Sequence, residues 1–321
     1  MSLSGIYQPI REDLAIVEER IRLIADVDSP KLAQLLEYTL HNSGKRLRPA
    51  LVLLSGKFYN YNPTYLLPMA VAIEILHTAT LLHDDVIDSS ATRRGRATVN
   101  QVWGGDKAIM VGDYMLAKAE ELVADTHNLS VVKLFGQTLM TISGGEVDQS
   151  DNAFNLEQTR EQYFQTISKK TAALISLATE SGAILSGAPE GVVRELQQYG
   201  YNLGVAFQIV DDILDFIATE EELGKPVGSD LAQGTLTLPS IMVIERYPED
   251  NPVRKVFQNE NRQENIKLAL ELVSNSDIIE NCYKVAHDYC SQAYRNLEQF
   301  PENASRQALY ELVEYVIRRR K

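Results

Sequence analysis

Ile73-Glu74-Ile75-Leu76-His77-Thr78-Ala79-Thr80-Leu81-Leu82-His83-Asp84-Asp85-Val86-Ile87-Asp88 is an apolar, helix-like run that ends in D-D-x-x-D. The same arrangement returns at Leu203-Gly204-Val205-Ala206-Phe207-Gln208-Ile209-Val210-Asp211-Asp212-Ile213-Leu214-Asp215. On a helix, residues i and i+4 share a face and i+1 lies beside it, so each cluster aims at least two carboxylates one way. That arrangement is costly, because like charges repel and burial penalises them further. Cations held by the clusters offset the cost. Mg²⁺ fits, being a hard ion bound by one or two carboxylates plus substrate phosphate oxygens. One such cluster among 44 acidic residues is no surprise. Two copies, each after an apolar helical run and each followed by basic residues, are a pattern.

Outward from these runs the chain reads as helix after helix. Apolar residues recur at intervals of three and four over Leu14–Ile24, Leu32–Leu40, Ala50–Phe58, Leu66–Leu82, Ala108–Val123, Val131–Ile142, Arg160–Leu185, Glu190–Phe216, Ile266–Val273 and Ile278–Leu297. Alternating strand patterns are hardly visible. Breaks are expected at Asn60–Pro63, Gly104–Asp106, Ser143–Gly145, Ser186–Pro189, Gly224–Pro226, Tyr247–Pro248 and Ser274–Asp277. No low-complexity linker divides the 321 residues. The expectation is one all-helical domain, 1–321, an all-α bundle with its acidic helices facing a central cavity.

Bulk properties exclude some functions. A net charge of −13 argues against nonspecific nucleic-acid binding. No uninterrupted apolar run reaches bilayer length, and no signal segment opens the sequence, so a cytoplasmic location is expected. Cys282 and Cys290 are the only cysteines. On one helix they would lie about 12 Å apart along the axis, too far for a disulfide.

Basic residues come in placed groups: Gly44-Lys45-Arg46-Leu47-Arg48-Pro49, Arg93-Arg94-Gly95, Lys169-Lys170-Thr171, and Lys225 in Leu223-Gly224-Lys225-Pro226. Arginine forks and lysine point charges are the usual phosphate binders. Bracketing two carboxylate clusters, they describe a site for polyanions bridged by metal. His77 lies two turns before Asp84 on the same face. Glu74 and His77 also match the E-x-x-H spacing of di-iron bundles, but no other histidine has a glutamate three residues before it, so that reading is rejected. Gly112 and Gly144–Gly145 either permit close helix packing or leave room for a long ligand.

The ordered set G-K-R-L-R-P, H-T-A-T-L-L-H-D-D-V-I-D, R-R-G, K-T, F-Q-I-V-D-D-I-L-D and L-G-K-P, from about Gly44 to Pro239, resembles the trans-prenyltransferases, the polyprenyl diphosphate synthases. The resemblance implies condensation of isopentenyl diphosphate with an allylic diphosphate. It implies that Asp84, Asp85, Asp88, Asp211, Asp212 and Asp215 hold about three Mg²⁺ ions, although not every one need touch a metal. Arg93, Lys170 and Lys225 would contact the allylic diphosphate, with Thr171 and Gln208 nearby. Lys45, Arg48, His77 and Arg94 would hold isopentenyl diphosphate. A homodimer, and transient membrane contact during product release, are implied as well. The basic tail 318–321 could assist release, but complementing a helix C-terminus is the preferred reading. Two departures stand out: Thr235 replaces the lysine of G-K-x-T-L-P, and Ala97 replaces a common proline. The alternatives are a class I terpene cyclase, disfavoured by the second basic set, and a noncatalytic subunit, disfavoured by the retention of both clusters.

Chain length should be read on the helix below Asp84. Ala79 and Thr80 are small and put no floor one turn beneath the metals. Leu76 and Ile73 follow, Ile73 about 16 Å below Asp84. A product of roughly thirty to fifty carbons is expected from that depth; a shorter product of fifteen or twenty is the alternative.

Overall fold

The computed structural model describes residues 2–41, 44–93, 95–220 and 226–319. Helices dominate: α1 (Leu3–Ile6), α2 (Arg11–Leu23), α3 (Pro30–Leu40), α4 (Leu47–Gly56), α5 (Pro63–Ile87), α6 (Val99–Trp103), α7 (Gly105–Ala124), α8 (Leu129–Asp151), α9 (Arg160–Ile167), α10 (Ala173–Leu185), α11 (Glu190–Ile217), α12 (Ser229–Gln233), α13 (Leu238–Arg246), α14 (Pro252–Phe257), α15 (Arg262–Ser274), α16 (Ile278–Asn296) and α17 (Ala304–Arg318). Their starts follow local chemistry. Ser29, Asn62, Thr98, Thr159 and Asn251 each accept a backbone N–H of the first turn, and proline follows directly at Pro30, Pro63 and Pro252. Thr159 and Gln162 complete a reciprocal capping box.

Some expectations need correction. Ser143–Gly145 does not interrupt α8, which runs through it. Between α9 and α10 the helix widens into a π turn, Ser168–Ala172. A two-stranded antiparallel hairpin pairs Thr92–Arg93 (β1) with Arg96–Ala97 (β2). By length and composition α5 is apolar enough to cross a membrane, contrary to the sequence reading, yet 72% of its most apolar window is buried within the fold.

The described chain divides into two compact units. The first comprises the residues up to Thr138, Leu174–Gly200 and Tyr294–Tyr315; the second comprises Leu139–Ala173, Tyr201–Ala293 and the residues from Val316 on. In the first unit α5 is the central element and packs chiefly on α7 and α4. A Cβ on Gly112 of α7 would come within 2.2 Å of His83 Nε2 on α5, so this glycine serves close approach. In the second unit two glycines pinch the π turn. A Cβ on Gly145 of α8 would lie 2.7 Å from Lys169 Cβ, and one on Gly204 of α11 would lie 2.6 Å from Ala172 Cα. Cys282 and Cys290 lie buried and reduced on α16. Burial pushes each thiol up to about 12, with Asp212 adding at Cys282.

Candidate functional site

In the first unit the acidic cluster closes α5. Three carboxylates at a helix C-terminus oppose the macrodipole, which favours cations there. Asp85 is 4% exposed and accepts from Arg93 Nε at 2.6 Å. Its backbone carbonyl accepts Ser90 N–H, and Ser90 in turn accepts from Thr98 Oγ1. The hairpin that carries Arg93 is thereby tied to the helix end. Tyr38 Oη anchors its far strand through the Ala97 carbonyl, with the Arg96 guanidinium over the Tyr38 ring. Burial raises the Asp85 pKa despite Arg93, and Asp88 adds to the rise. Arg93, assigned to a diphosphate, and Asp85, assigned to metal, are thus partners of each other. Asp84 and Asp88 keep some exposed surface.

The basic loop before α4 is anchored at several points. Lys45 is exposed, with Nζ 5.6 Å from the Tyr315 ring centroid, and its carbonyl accepts Tyr7 Oη. Arg48 sits half-buried on the first turn of α4. Arg46 between them is 9% exposed and forks onto Glu18 and Glu74. His77 is half-exposed, and its carbonyl accepts Thr80 Oγ1 at 2.9 Å. Of the four chain-length positions only Thr80 exposes surface; Ile73, Leu76 and Ala79 are completely buried. Arg94 lies outside the described residues.

In the second unit α11 presents its three carboxylates very differently. Asp212, 3% exposed, accepts from Tyr163 Oη at 2.6 Å and Gln208 Nε2 at 2.8 Å. Its pKa stands well above the ordinary range, chiefly through burial and then through Asp230. Asp215, 1% exposed, accepts from Ser229 Oγ and Asp230 N, so it ties α11 to α12. Both were expected to bind metal; in this structure their oxygens accept hydrogen bonds from protein donors. Asp211 alone keeps an open side chain, 2.7 Å from Arg319. Arg319 also stacks 3.7 Å over the Phe207 ring. The tail reading thus needs correction at Arg319: its partner is a cluster carboxylate.

The K-T motif lies in the π turn. Lys170 pairs with Glu146 at 2.6 Å and reaches Gln149, while Thr171 Oγ1 donates to Gln208. A relay Thr171–Gln208–Asp212–Tyr163 links the turn to the cluster. Lys225 lies outside the described residues. Thr235 donates its backbone N–H to the Asp230 carbonyl where a phosphate-binding lysine is often found. Sequence reasoning passed over Arg46, although it stands inside the quoted G-K-R-L-R-P. It also missed Tyr163, seven residues before Lys170.

Among the described residues no three His, Cys, Asp or Glu side chains converge into a ready metal cage. The donors present are hard carboxylate oxygens, and Asp84, Asp88 and Asp211 keep accessible surface. Both facts suit a cation that draws its remaining ligands from water and phosphate.

Comparison with known proteins identifies the family. The family described as Polyprenyl synthetase matches residues 29–273. Heptaprenyl diphosphate synthase component 2 of Bacillus subtilis (strain 168) is 36% identical over 320 residues, covering 100% of this chain and 92% of that one. The crystal structure of a decaprenyl diphosphate synthase from Rhodobacter capsulatus superposes with TM-score 0.93 at 35% identity, covering 100% of both chains. A polyprenyl synthase from Caulobacter crescentus CB15, complexed with calcium and isoprenyl diphosphate, gives TM-score 0.95 at 33% identity, covering 100% of this chain and 98% of that one. With the family match spanning both aspartate clusters and the basic groups around them, the chain belongs to the polyprenyl synthetase family of prenyltransferases.

Proposed function

We propose that this chain joins isopentenyl diphosphate head-to-tail (1′-4) to an allylic diphosphate such as farnesyl or geranylgeranyl diphosphate, building a long all-trans polyprenyl diphosphate. The observation that carries this is the interleaving of carboxylate and cation at both clusters, Asp85 with Arg93 and Asp211 with Arg319, in a chain whose family match spans both clusters. The hard step is departure of a multiply charged leaving group. Mg²⁺, when bound, supplies neutralisation of that charge. Asp84, Asp88 and Asp211 retain accessible surface and are the candidates to hold the ions. Asp85, Asp212 and Asp215 act by fixing Arg93, Gln208 and the turn before α12. The calcium and isoprenyl diphosphate of the Caulobacter structure support a divalent cation and a prenyl diphosphate as ligands. Arg93, Lys170 and Lys225 take the oxygens of the allylic diphosphate; Lys45, Arg48, His77 and Arg94 take those of isopentenyl diphosphate. The departing diphosphate accepts the proton lost after condensation.

A second copy of the chain is the proposed partner. α8 leaves Leu129, Met140 and Val147 exposed at 82%, 69% and 59%, and Gly136 and Gly144 face open space. An apolar stripe of this kind marks an interaction surface. The component 2 name of the Bacillus relative favours a second reading, in which this face takes a different subunit.

The test is a product-length assay with purified protein, farnesyl diphosphate, excess isopentenyl diphosphate and Mg²⁺. A ladder ending at roughly thirty to fifty carbons, the depth argued from Ile73, supports the proposal. A stop at twenty removes the long product, and no turnover by the pure chain favours the two-component reading.

A further inference from the structure

Arg46 is a buried arginine in a backbone conformation that side chains avoid. Its φ and ψ are 51° and 33°, left-handed, at the residue that opens α4. Its carbonyl accepts the first helical N–H, from Ala50. Its side chain spans two other helices. Nε and Nη2 donate to the two oxygens of Glu18 on α2 at 2.6 and 3.0 Å; Nη1 donates to Glu74 Oε1 on α5 at 2.8 Å. Glu74 is itself buried, and its second oxygen has no hydrogen-bond partner among the described residues. Removing Arg46 would leave that carboxylate buried without its counter-charge, which is far costlier than removing both partners.

A strained backbone persists only where surrounding contacts over-determine it. Here the contacts are a three-way ion cluster and the Tyr7 hydrogen bond to the Lys45 carbonyl. The result is directional. With Arg46 turned inward, exposed Lys45 and half-buried Arg48 stand on either side of a fixed backbone point. That point is held to α5, the helix that carries His77 and Asp84. We infer that Arg46 is a positioning residue that uses Glu18 and Glu74 to hold Lys45 and Arg48 in the geometry that binds isopentenyl diphosphate. The inference rests on the proposed assignment of Lys45 and Arg48 to that substrate.

The experiment measures KM for each substrate separately in Arg46→Met, together with calorimetric titration of isopentenyl diphosphate. The KM for isopentenyl diphosphate is expected to rise about tenfold or more, with matching weakening in the titration, while the KM for the allylic diphosphate stays within about twofold. A purely structural role would lower the melting temperature but leave both KM values of the folded enzyme unchanged, and that result overturns the inference. Should Arg46→Met fail to fold, Glu18→Gln keeps the Arg46–Glu74 pair and weakens only one arm. A rise of about two- to threefold in the KM for isopentenyl diphosphate alone then supports the inference, and no rise overturns it. Lys45→Ala and Arg48→Ala separate the two levels. If neither shifts the KM for isopentenyl diphosphate, the assignment beneath the inference fails. If they shift it and the Arg46 and Glu18 variants do not, only the role of Arg46 fails.

Discussion

At the scale of single residues the six aspartates are not equivalent. Asp211 is open and paired with Arg319, whereas Asp212 is enclosed by Tyr163 and Gln208. Asp211→Asn is therefore expected to cut kcat by about 10²- to 10³-fold and to raise the Mg²⁺ concentration needed for half-maximal rate. Tyr163→Phe removes only a support and should cost less in rate than Asp211→Asn. Steady-state assays across a Mg²⁺ series would separate them, and an inverted order would contradict the division of labour. The sequence placed all six aspartates correctly on helix ends but could not rank them. D-D-x-x-D spacing fixes which face a carboxylate takes, while burial and donors come from remote segments such as Tyr163, Ser229 and Arg319. Chain length divides the same way. Thr80→Phe should shorten the product with little loss of stability, because Thr80 already exposes surface. Ala79→Phe, at a completely buried position, should also shorten it but cost about 1–3 kcal/mol by overpacking. An unchanged product from both would sink the assignment of this face to the growing chain.

At the scale of elements the π turn matters most. Ser168–Ala172 displays Lys170 and Thr171 between Gly145 of α8 and Gly204 of α11, each too close to accept a Cβ. Gly204→Ala should destabilise the protein by about 1–3 kcal/mol and lower activity more than stability alone explains, because the backbone it displaces carries both side chains. Thermal melts alongside single-turnover rates would show this. Helix periodicity located α9 and α10 as one continuous apolar stretch and could not reveal the widened turn. A π turn leaves no apolar signature; its only sign was glycine on two neighbouring helices, of which Gly145 read as a break and Gly204 as part of an apolar run. The short helices α12 and α14 were missed for a related reason, since a single turn or two shows too few repeats of the apolar period.

At the scale of the whole molecule, all-helical architecture was legible because long apolar periods and capping residues agree, as at Asn62–Pro63 before α5. The proposed association face was not, because an exposed apolar stripe on α8 looks in sequence like any core-facing one. Met140→Glu is expected to shift the protein toward a smaller species in sedimentation velocity; no change in size would rule that face out. One feature of the second unit can report on the molecule's motions. Cys282 and Cys290 sit closed off on α16, their thiols pushed up to about 12, so at neutral pH they are almost wholly protonated. A thiol-directed dye can therefore modify them only when α16 swings open. The rate of that modification, timed from the addition of reagent, would read out how often the helix opens locally.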